Sequence, residues 1–278
     1  MKKLLMIAVL MLLTAIGGQA QPAGYQDLMD EARSYSQQKE YEKSSECYEK
    51  AIAMLKGTEM ESLIPSVRDF IAINHLHLGV AALKAKDYPK AKAFLEKAID
   101  DAKPNSKTYY MAHSWMGQWH SVQSLNIRTA RGDYEEALRL SLEAEKCFNQ
   151  AQAPDKRLRE QLSRASILKE LLRYEEAVAL LKQIITECGT VESRRIIMGK
   201  AHFSLGSIEV EEEQYQQALQ HLEQAYELCL ALTTQDAKSY AYLAAGKLYA
   251  VYTQHIPDSE KAALWQQRAD QLEDQVLR

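Results

Sequence analysis

Residues 79–98 read GVAALKAKDYPKAKAFLEKA, and the pattern in this segment recurs along the chain. A small residue is followed nine positions later by a tyrosine, and then by small, bulky and small residues at fixed distances: Gly79, Tyr88, Ala91, Leu95 and Ala98. Four further copies place their tyrosines at Tyr41, Tyr134, Tyr174 and Tyr215. Successive tyrosines are 47, 46, 40 and 41 residues apart. Because self-similarity at such a period is typical of repeat proteins, the sequence predicts a stack of repeated units.

Each copy has the spacing of a pair of helices. The recurring positions from Tyr88 to Ala98 are separated by three, four and three residues, which places them on one face of a helix. Gly79 and Ala82 form a similar stripe on the helix before it. A larger side chain between two closely packed helices costs about 1–3 kcal/mol of overpacking. The small residues therefore predict a close approach of the two helices in each copy.

The predicted turns carry signals of their own. Asp87 and Asp133 stand directly before the tyrosine of their copy, where a carboxylate can cap the free N–H groups of a helix and meet the positive end of its dipole. Pro89 falls in the predicted first turn, where its missing N–H costs nothing. Pro104 and Pro154 fall between copies, where we expect helices to end.

The segments Leu78–Ala98, Gly132–Ala137 and Leu205–Ala225 resemble tetratricopeptide repeats. The resemblance covers most of the chain from Tyr25 onward. It implies an all-α fold, a right-handed α-solenoid of antiparallel helix hairpins, with five repeats and an atypical sixth unit at the C-terminal end.

Three features depart from the family pattern. The spacing between tyrosines exceeds the family's usual period of about 34 residues, which predicts longer helices rather than longer loops, because Gly, Pro and Ser clusters are scarce between copies. The third copy has Leu125 at a position that is usually small and Arg128 where an apolar residue is common. The sixth unit is looser, with Ala245 and Gly246 in its first helix and a last helix predicted over residues 259–277.

The N-terminus has the order of a secretory signal peptide. Two lysines precede an apolar run at residues 4–16, and small residues up to Ala20 complete a cleavage site. The run is shorter than the roughly 20 residues of a membrane span, although an uncleaved anchor helix is the alternative. We expect residues 1–20 to be removed and residues 21–278 to form a single repeat domain that is periplasmic or secreted, without stable membrane insertion.

Composition narrows the classes of partner and cofactor. The formal net charge of −4 becomes −6 when the two signal-peptide lysines are removed, which argues against a nucleic-acid partner. Cys147, Cys188 and Cys229 recur every 41 residues near the ends of second helices. Equivalent helices of neighbouring repeats should lie about 9 Å or more apart, which is beyond the reach of most disulfides. We therefore expect buried structural thiols. No CxxC or HExxH spacing is present, and neither a metal nor another cofactor is expected.

The resemblance implies that the first helix of each repeat lines a concave surface that binds a protein or peptide partner. The candidate contact residues are those at the matching positions: Met29, Arg33, Leu76, Val80, Lys84, Trp119, Val122, Asn126, Arg159, Ser166, Lys169, Lys200, Phe203, Ser207, Tyr240, Leu243 and Lys247. Trp119 has Trp115 one turn before it, and aromatic anchors are favoured in binding hot spots. The alternative is that these two rings belong to the core.

The sequence lacks the motifs of catalysis. It contains no nucleophile elbow, no phosphate-binding glycine loop and no cluster with metal-ligand spacing. We therefore predict a non-enzymatic scaffold or adaptor of the cell envelope or the secreted fraction that binds a protein or peptide. A sensory or regulatory module that binds a ligand or peptide for a signalling system is the alternative, and an accessory subunit of an extracellular hydrolase stays open.

Overall fold

The computed structural model describes residues 22–276, so the predicted signal peptide at residues 1–20 lies outside the described part. Within residues 22–276 the chain forms twelve α-helices, two short 3-10 helices and no strand. The α-helices are α1 Tyr25–Gln37, α2 Tyr41–Leu55, α3 Ile64–Lys84, α4 Tyr88–Asp101, α5 Lys107–Arg131, α6 Tyr134–Gln150, α7 Pro154–Glu170, α8 Tyr174–Cys188, α9 Arg195–Glu211, α10 Tyr215–Leu230, α11 Gln235–Gln254 and α12 Ser259–Val276. The predicted all-α fold of consecutive helix hairpins is confirmed.

The helices belong to two compact units, one up to Ala112 and the other from His113, whereas the sequence predicts one repeat domain. The division falls inside α5. In the first unit α1 packs against α2, and α3 against α4. In the second unit α7 packs against α8, α9 against α10, and α11 against α12. Each unit therefore contains its own run of antiparallel hairpins.

Every repeat tyrosine is the first residue of the second helix of its pair, as the sequence predicts. The first helices of the second and third copies, α3 and α5, have 21 and 25 residues. Their length accounts for most of the two widest tyrosine spacings and confirms that long helices lengthen the period. An eight-residue connection at residues 56–63, which includes a 3-10 turn, adds to the first of these spacings.

Four of the five turns share one backbone geometry. The residue two positions before the tyrosine has a left-handed conformation, with φ values of 64°, 62°, 58° and 60° at Lys39, Lys86, Leu172 and Glu213. The next N–H then reaches back over the helix end, as from Asp87 N to Ala82 O at 2.9 Å. This closure satisfies a carbonyl that the helix leaves free. It ends the first helix at a constant distance from the tyrosine.

The third turn differs, and it shifts the register of α5 by one residue. Gly132 donates its N–H to Arg128 O at 3.2 Å, so α-helical bonding continues further than at the other turns. Ser124 is buried, and its Oγ donates to Ala137 O at 2.7 Å. Leu125 is 49% exposed. Its alignment with the small-residue position is therefore wrong, because the longer helix places Ser124 there instead.

The predicted helix caps are confirmed. The carboxylates of Asp87 and Asp133 accept the backbone N–H three residues further on, at 3.2 Å and 3.0 Å. Pro89 lies in the first turn of α4, and Pro104 lies in the connection between α4 and α5. Pro154 follows the end of α6 at Gln150, and it is the first residue of α7, where proline needs no N–H partner.

The four cysteines are free thiols, and Cys47, Cys188 and Cys229 are buried while Cys147 is half-buried. Burial raises the pKa of the Cys147 and Cys229 thiols to about 11. A thiol that stays protonated at neutral pH is a poor nucleophile and a poor metal ligand. The prediction of buried structural thiols is confirmed for the three buried cysteines.

The close approach of paired helices is confirmed at two glycines that hold the same repeat position. A Cβ added to Gly79 would lie 2.9 Å from Leu95 Cγ and 3.2 Å from Leu95 N. A Cβ added to Gly206 would lie 2.8 Å from Leu222 Cγ and 3.1 Å from Ala218 O. Because backbone atoms of the partner helix stand in the way, rotation of a leucine alone cannot make room.

We expect Gly206→Ala to lower the free energy of unfolding by about 1–2 kcal/mol, because overpacking against the α10 backbone outweighs the helix propensity of alanine. Gly246→Ala is the matched control: it lies within α11 with no heavy atom within 4 Å of an added Cβ. This control should gain about 0.5–1 kcal/mol. Urea unfolding of both variants measures the difference. Equal stabilities would contradict the close contact.

Candidate binding site

The second unit has a cleft of about 790 Å³ formed by the first helices of its repeats. The lining comes from α7, α9 and α11 together with Arg128 near the end of α5. Helix α7 contacts α9, and α9 contacts α11, so the three helices present one continuous face. Seven of the predicted contact residues line this cleft: Arg159, Ser166, Lys169, Lys200, Phe203, Ser207 and Tyr240.

Helical spacing explains why these side chains converge. On α9, Lys200, Phe203 and Ser207 are three and four positions apart, and each therefore lies one turn from the next on the same side of the helix. On α7, Arg159 and Ser166 are seven positions apart, which is two turns. The small hydroxyls of the two serines leave room between the larger residues of neighbouring helices.

An aromatic pair lines the cleft. The rings of Phe203 on α9 and Tyr240 on α11 meet edge to face, with centroids 5.5 Å apart and planes at 88°. Lys200 Nζ lies 4.7 Å from the centroid of the Tyr240 ring, and Lys247 Nζ lies 5.9 Å from that of Phe203. Both rings are half-buried. The buried part of each ring fixes its position, and the exposed part is accessible to a partner.

Ion pairs hold both lysines that line the cleft. Lys200 Nζ lies 2.6 Å from Asp236 Oδ2, and Lys169 Nζ lies 2.6 Å from Glu211 Oε1. Lys247 lies near the Glu211 carboxylate. Burial lowers the pKa of Lys247, and the Lys169 ammonium lowers it further, while Glu211 acts in the opposite direction. Lys169 and Lys247 are therefore close enough for each ammonium to oppose the charge of the other.

In the first unit, two of the predicted contact residues lie in the core and a third is paired on its own helix. Met29 and Leu76 are buried in the core, at 4% exposure each, so the prediction that they face a partner is corrected. Arg33 Nη1 is paired with Asp30 Oδ1 at 2.6 Å on the same helix. Val80 is half-buried, and Lys84 is exposed near the end of α3.

In the second unit, five predicted residues lie outside the lining of the cleft, and one of them is Lys247, whose ammonium lies over the Phe203 ring. Trp119, Val122 and Asn126 are half-buried on α5, and Leu243 on α11 is 46% exposed. The Trp119 ring meets the His120 ring edge to face at 5.0 Å. These positions remain predictions for a longer partner segment, because the cleft itself does not include them.

Some lining residues were not predicted from the sequence. Leu162 stands twelve positions before the tyrosine of its repeat, as Phe203 does, so the same offset identifies it. Arg128 stood out in the sequence only through the alignment of α5 that the structure shifts by one residue, so that alignment is not a valid signal for its place in the cleft. Ile196 and Asp236 lie near the starts of α9 and α11. The first helices differ in length, so the repeat pattern predicts less well which residues near their starts line the cleft.

No group of three or more His, Cys, Asp or Glu side chains within residues 22–276 has the geometry to hold a metal ion. Among the same residues, no helix combines the length and the hydropathy that crossing a bilayer requires. The candidate site is therefore a cleft with aromatic and charged side chains, without a recognisable metal centre in the described part of the chain.

A second polar cluster, outside the lining of the cleft, links α9 to α10. His202 Nδ1 lies 3.0 Å from His221 Nδ1, and His221 Nε2 lies 3.5 Å from Glu209 Oε1. The two facing Nδ1 atoms can share one proton, with one nitrogen donating and the other accepting. Glu209 is buried at 6% exposure. We call these three residues the His–His–Glu chain.

Burial shifts the pKa values of the His–His–Glu chain in opposite senses. It lowers the pKa of His202 to about 4, with a smaller contribution from His221. It lowers the pKa of His221, as does the nearby Lys182 on α8. It raises the pKa of Glu209 to about 7, while Lys182 acts to lower this pKa and Glu212 to raise it.

These shifts predict a pH dependence of stability with two opposing parts. Between pH 4 and 6.5 the unfolded state binds more protons at His202, so stability rises with pH. Between pH 4.5 and 7 the folded state binds more protons at Glu209, so stability falls with pH.

Glu209→Gln should remove the contribution that makes stability fall with pH. Its free energy of unfolding should then rise with pH more steeply than that of the parent, by at most about 1.4 kcal/mol per pH unit.

Urea unfolding at several pH values between 4.5 and 6.5 measures this difference. Glu227→Gln, an exposed change on α10, controls for the loss of one carboxylate elsewhere. Parallel pH profiles for Glu209→Gln and the parent chain would contradict the assignment.

Comparison with known proteins gives a family match on two of the repeats. The tetratricopeptide repeat family model matches residues 28–54 and 199–231, which are the first and fifth copies. A search of curated protein sequences finds no match.

Three solved structures are similar to the chain. A signal transduction ATPase with a tetratricopeptide repeat sensor from Pyrococcus horikoshii is 13% identical over 88% of this chain and 38% of its own, with a TM-score of 0.44. The C-terminal part of a TPR repeat-containing protein from Cytophaga hutchinsonii is 12% identical over 88% and 95%, with a TM-score of 0.42. The TPR2AB domain of yeast Sti1, in a complex with pHSP90, is 15% identical over 79% and 98%, with a TM-score of 0.36. The family model thus identifies tetratricopeptide repeats at residues 28–54 and 199–231, two copies of a pattern whose five tyrosines all begin second helices.

Proposed function

We propose that this protein is a non-enzymatic scaffold that binds a segment of a protein or peptide partner in the cleft of its second unit. One observation carries the proposal: seven residues predicted from repeat position line a single cleft. A binding face that runs across several repeats is what a scaffold requires, because a partner segment then contacts several helices at once.

The chemistry of the cleft supports a peptide ligand. Its volume of about 790 Å³ lies within the roughly 300–1,000 Å³ of sites that enclose small ligands, which is room for a short stretch of a peptide. Phe203 and Tyr240 supply the large, held aromatic surface that dominates binding energies at protein interfaces. Lys200 and Lys247 lie against these rings and can bind polar or charged groups of the partner.

We expect Tyr240→Ala to weaken binding of peptides selected on the parent chain by about tenfold or more, because it removes half of the aromatic pair. The probe is a phage-displayed library of random short peptides, and dissociation constants of the selected peptides are measured by fluorescence anisotropy. Tyr249→Ala is the matched control, since Tyr249 is an exposed tyrosine of the same helix that does not line the cleft.

Circular dichroism and thermal melting establish that both tyrosine variants fold. If the selected peptides bind the folded Tyr240→Ala chain as tightly as the parent, the cleft is not the binding site.

We infer in addition that the scaffold acts after export, in the periplasm or outside the cell. The basic start, the short apolar run and the small residues that end at Ala20 support this placement. In a bacterial host, N-terminal sequencing of the exported chain should begin at Gln21. Replacing Ala20 by Arg should leave the precursor uncleaved. Recovery of the parent chain in the cytosol with residues 1–20 intact would contradict export.

A further inference from the structure

The cleft concentrates positive charge in a chain that is acidic as a whole. The formal net charge of the chain is −4. The lining of the cleft nevertheless contains four cations and two carboxylates: Arg128, Arg159, Lys169, Lys200, Glu170 and Asp236. A concave site with an excess of one sign of charge raises the local concentration of ligands of the opposite sign.

The two lysines and the two arginines differ in what they already bind. Lys200 is paired with Asp236, and Lys169 is paired with Glu211. Arg128 is half-buried and Arg159 is exposed, and both face the cleft. A guanidinium group binds a carboxylate with two parallel hydrogen bonds, which a lysine cannot do. The two arginines are therefore suited to receive carboxylate groups from a partner.

The rest of the lining favours an apolar side chain. Leu162 of α7 and Ile196 of α9 line the cleft together with the Phe203 and Tyr240 rings. Lys247, whose ammonium lies over the Phe203 ring, adds a further cation beside these apolar side chains. An acidic group and an apolar group of one ligand can thus be bound side by side.

We infer that the cleft selects a peptide segment in which acidic side chains stand next to an aromatic or aliphatic side chain. This inference rests on the proposed function and specifies its partner. Nucleic acid is a poorer fit, because binding to a phosphate backbone requires an extended basic surface, whereas this site combines a limited excess of cations with apolar side chains.

The library of random peptides tests the inference through its composition. Selection on the parent chain should enrich Asp and Glu beside Phe, Tyr, Trp, Leu or Ile, and affinity should fall as ionic strength rises. Arg159→Ala should weaken the acidic peptides by about tenfold. Arg139→Ala removes the same charge from an exposed site on α6 and should change nothing. Arg159→Glu should move the selected composition from acidic to basic residues.

The outcomes separate this inference from the proposed function. Neutral or basic peptides that depend on Tyr240 but not on Arg159 would overturn the acidic preference and leave peptide binding in the cleft intact. Peptides that depend on neither residue would overturn both. Competition with inorganic phosphate or a short oligonucleotide is a further test. If either displaces the selected peptides at a lower concentration than the peptides themselves bind, the preferred ligand is a simple anion or a nucleic acid, and the inference is overturned.

A double variant, Arg128→Ala with Arg159→Ala, should lose more affinity for acidic peptides than either single change.

Discussion

The structure depends on the close contact between the two helices of each repeat. At Gly79 and Gly206 the partner helix is so near that no Cβ fits without displacing backbone. A helix pair packed at this distance buries its facing stripe almost completely, as the full burial of Leu95 and Leu222 shows. Since burial of apolar surface is the main favourable term in folding, the contact stabilises the hairpin and also sets its geometry. The first helix is left with one face for the neighbouring hairpins and one face for a partner.

Much of this arrangement could be predicted from the sequence, because the signals that determine it are local. The repeat tyrosines begin their helices, and Asp87 and Asp133 cap theirs, since the relevant contacts span three residues. The prediction failed by one residue at Leu125, where the turn at Gly132 continues the helix instead of closing over its end. A one-residue change in a turn rotates every side chain of the helix before it by about 100°, which residue types alone do not reveal.

Burial is harder to predict than secondary structure, because it depends on what lies opposite. Met29, Leu76 and Phe203 occupy equivalent positions, twelve residues before their tyrosines. The first two are core residues, whereas Phe203 faces a cleft. The repeat pattern specifies the side of the helix on which a residue lies but not the distance to the next element. For the same reason the His–His–Glu chain had no sequence signal: His202 and His221 belong to different helices and meet only after the hairpin closes.

Helix α9 packs closely against α10, makes polar contacts with it and also lines the cleft. Besides Gly206, it carries Gly199, where an added Cβ would lie 2.6 Å from Cys229 Sγ. Along the same helix, His202 and Glu209 join it to His221 of α10. Its remaining face presents Lys200 and Phe203 to the cleft. Because packing and polar contacts with α10 hold the helix on two sides, the cleft residues are positioned before a partner arrives. A site on such a held element loses little conformational entropy on binding, so more of the contact energy is available as affinity.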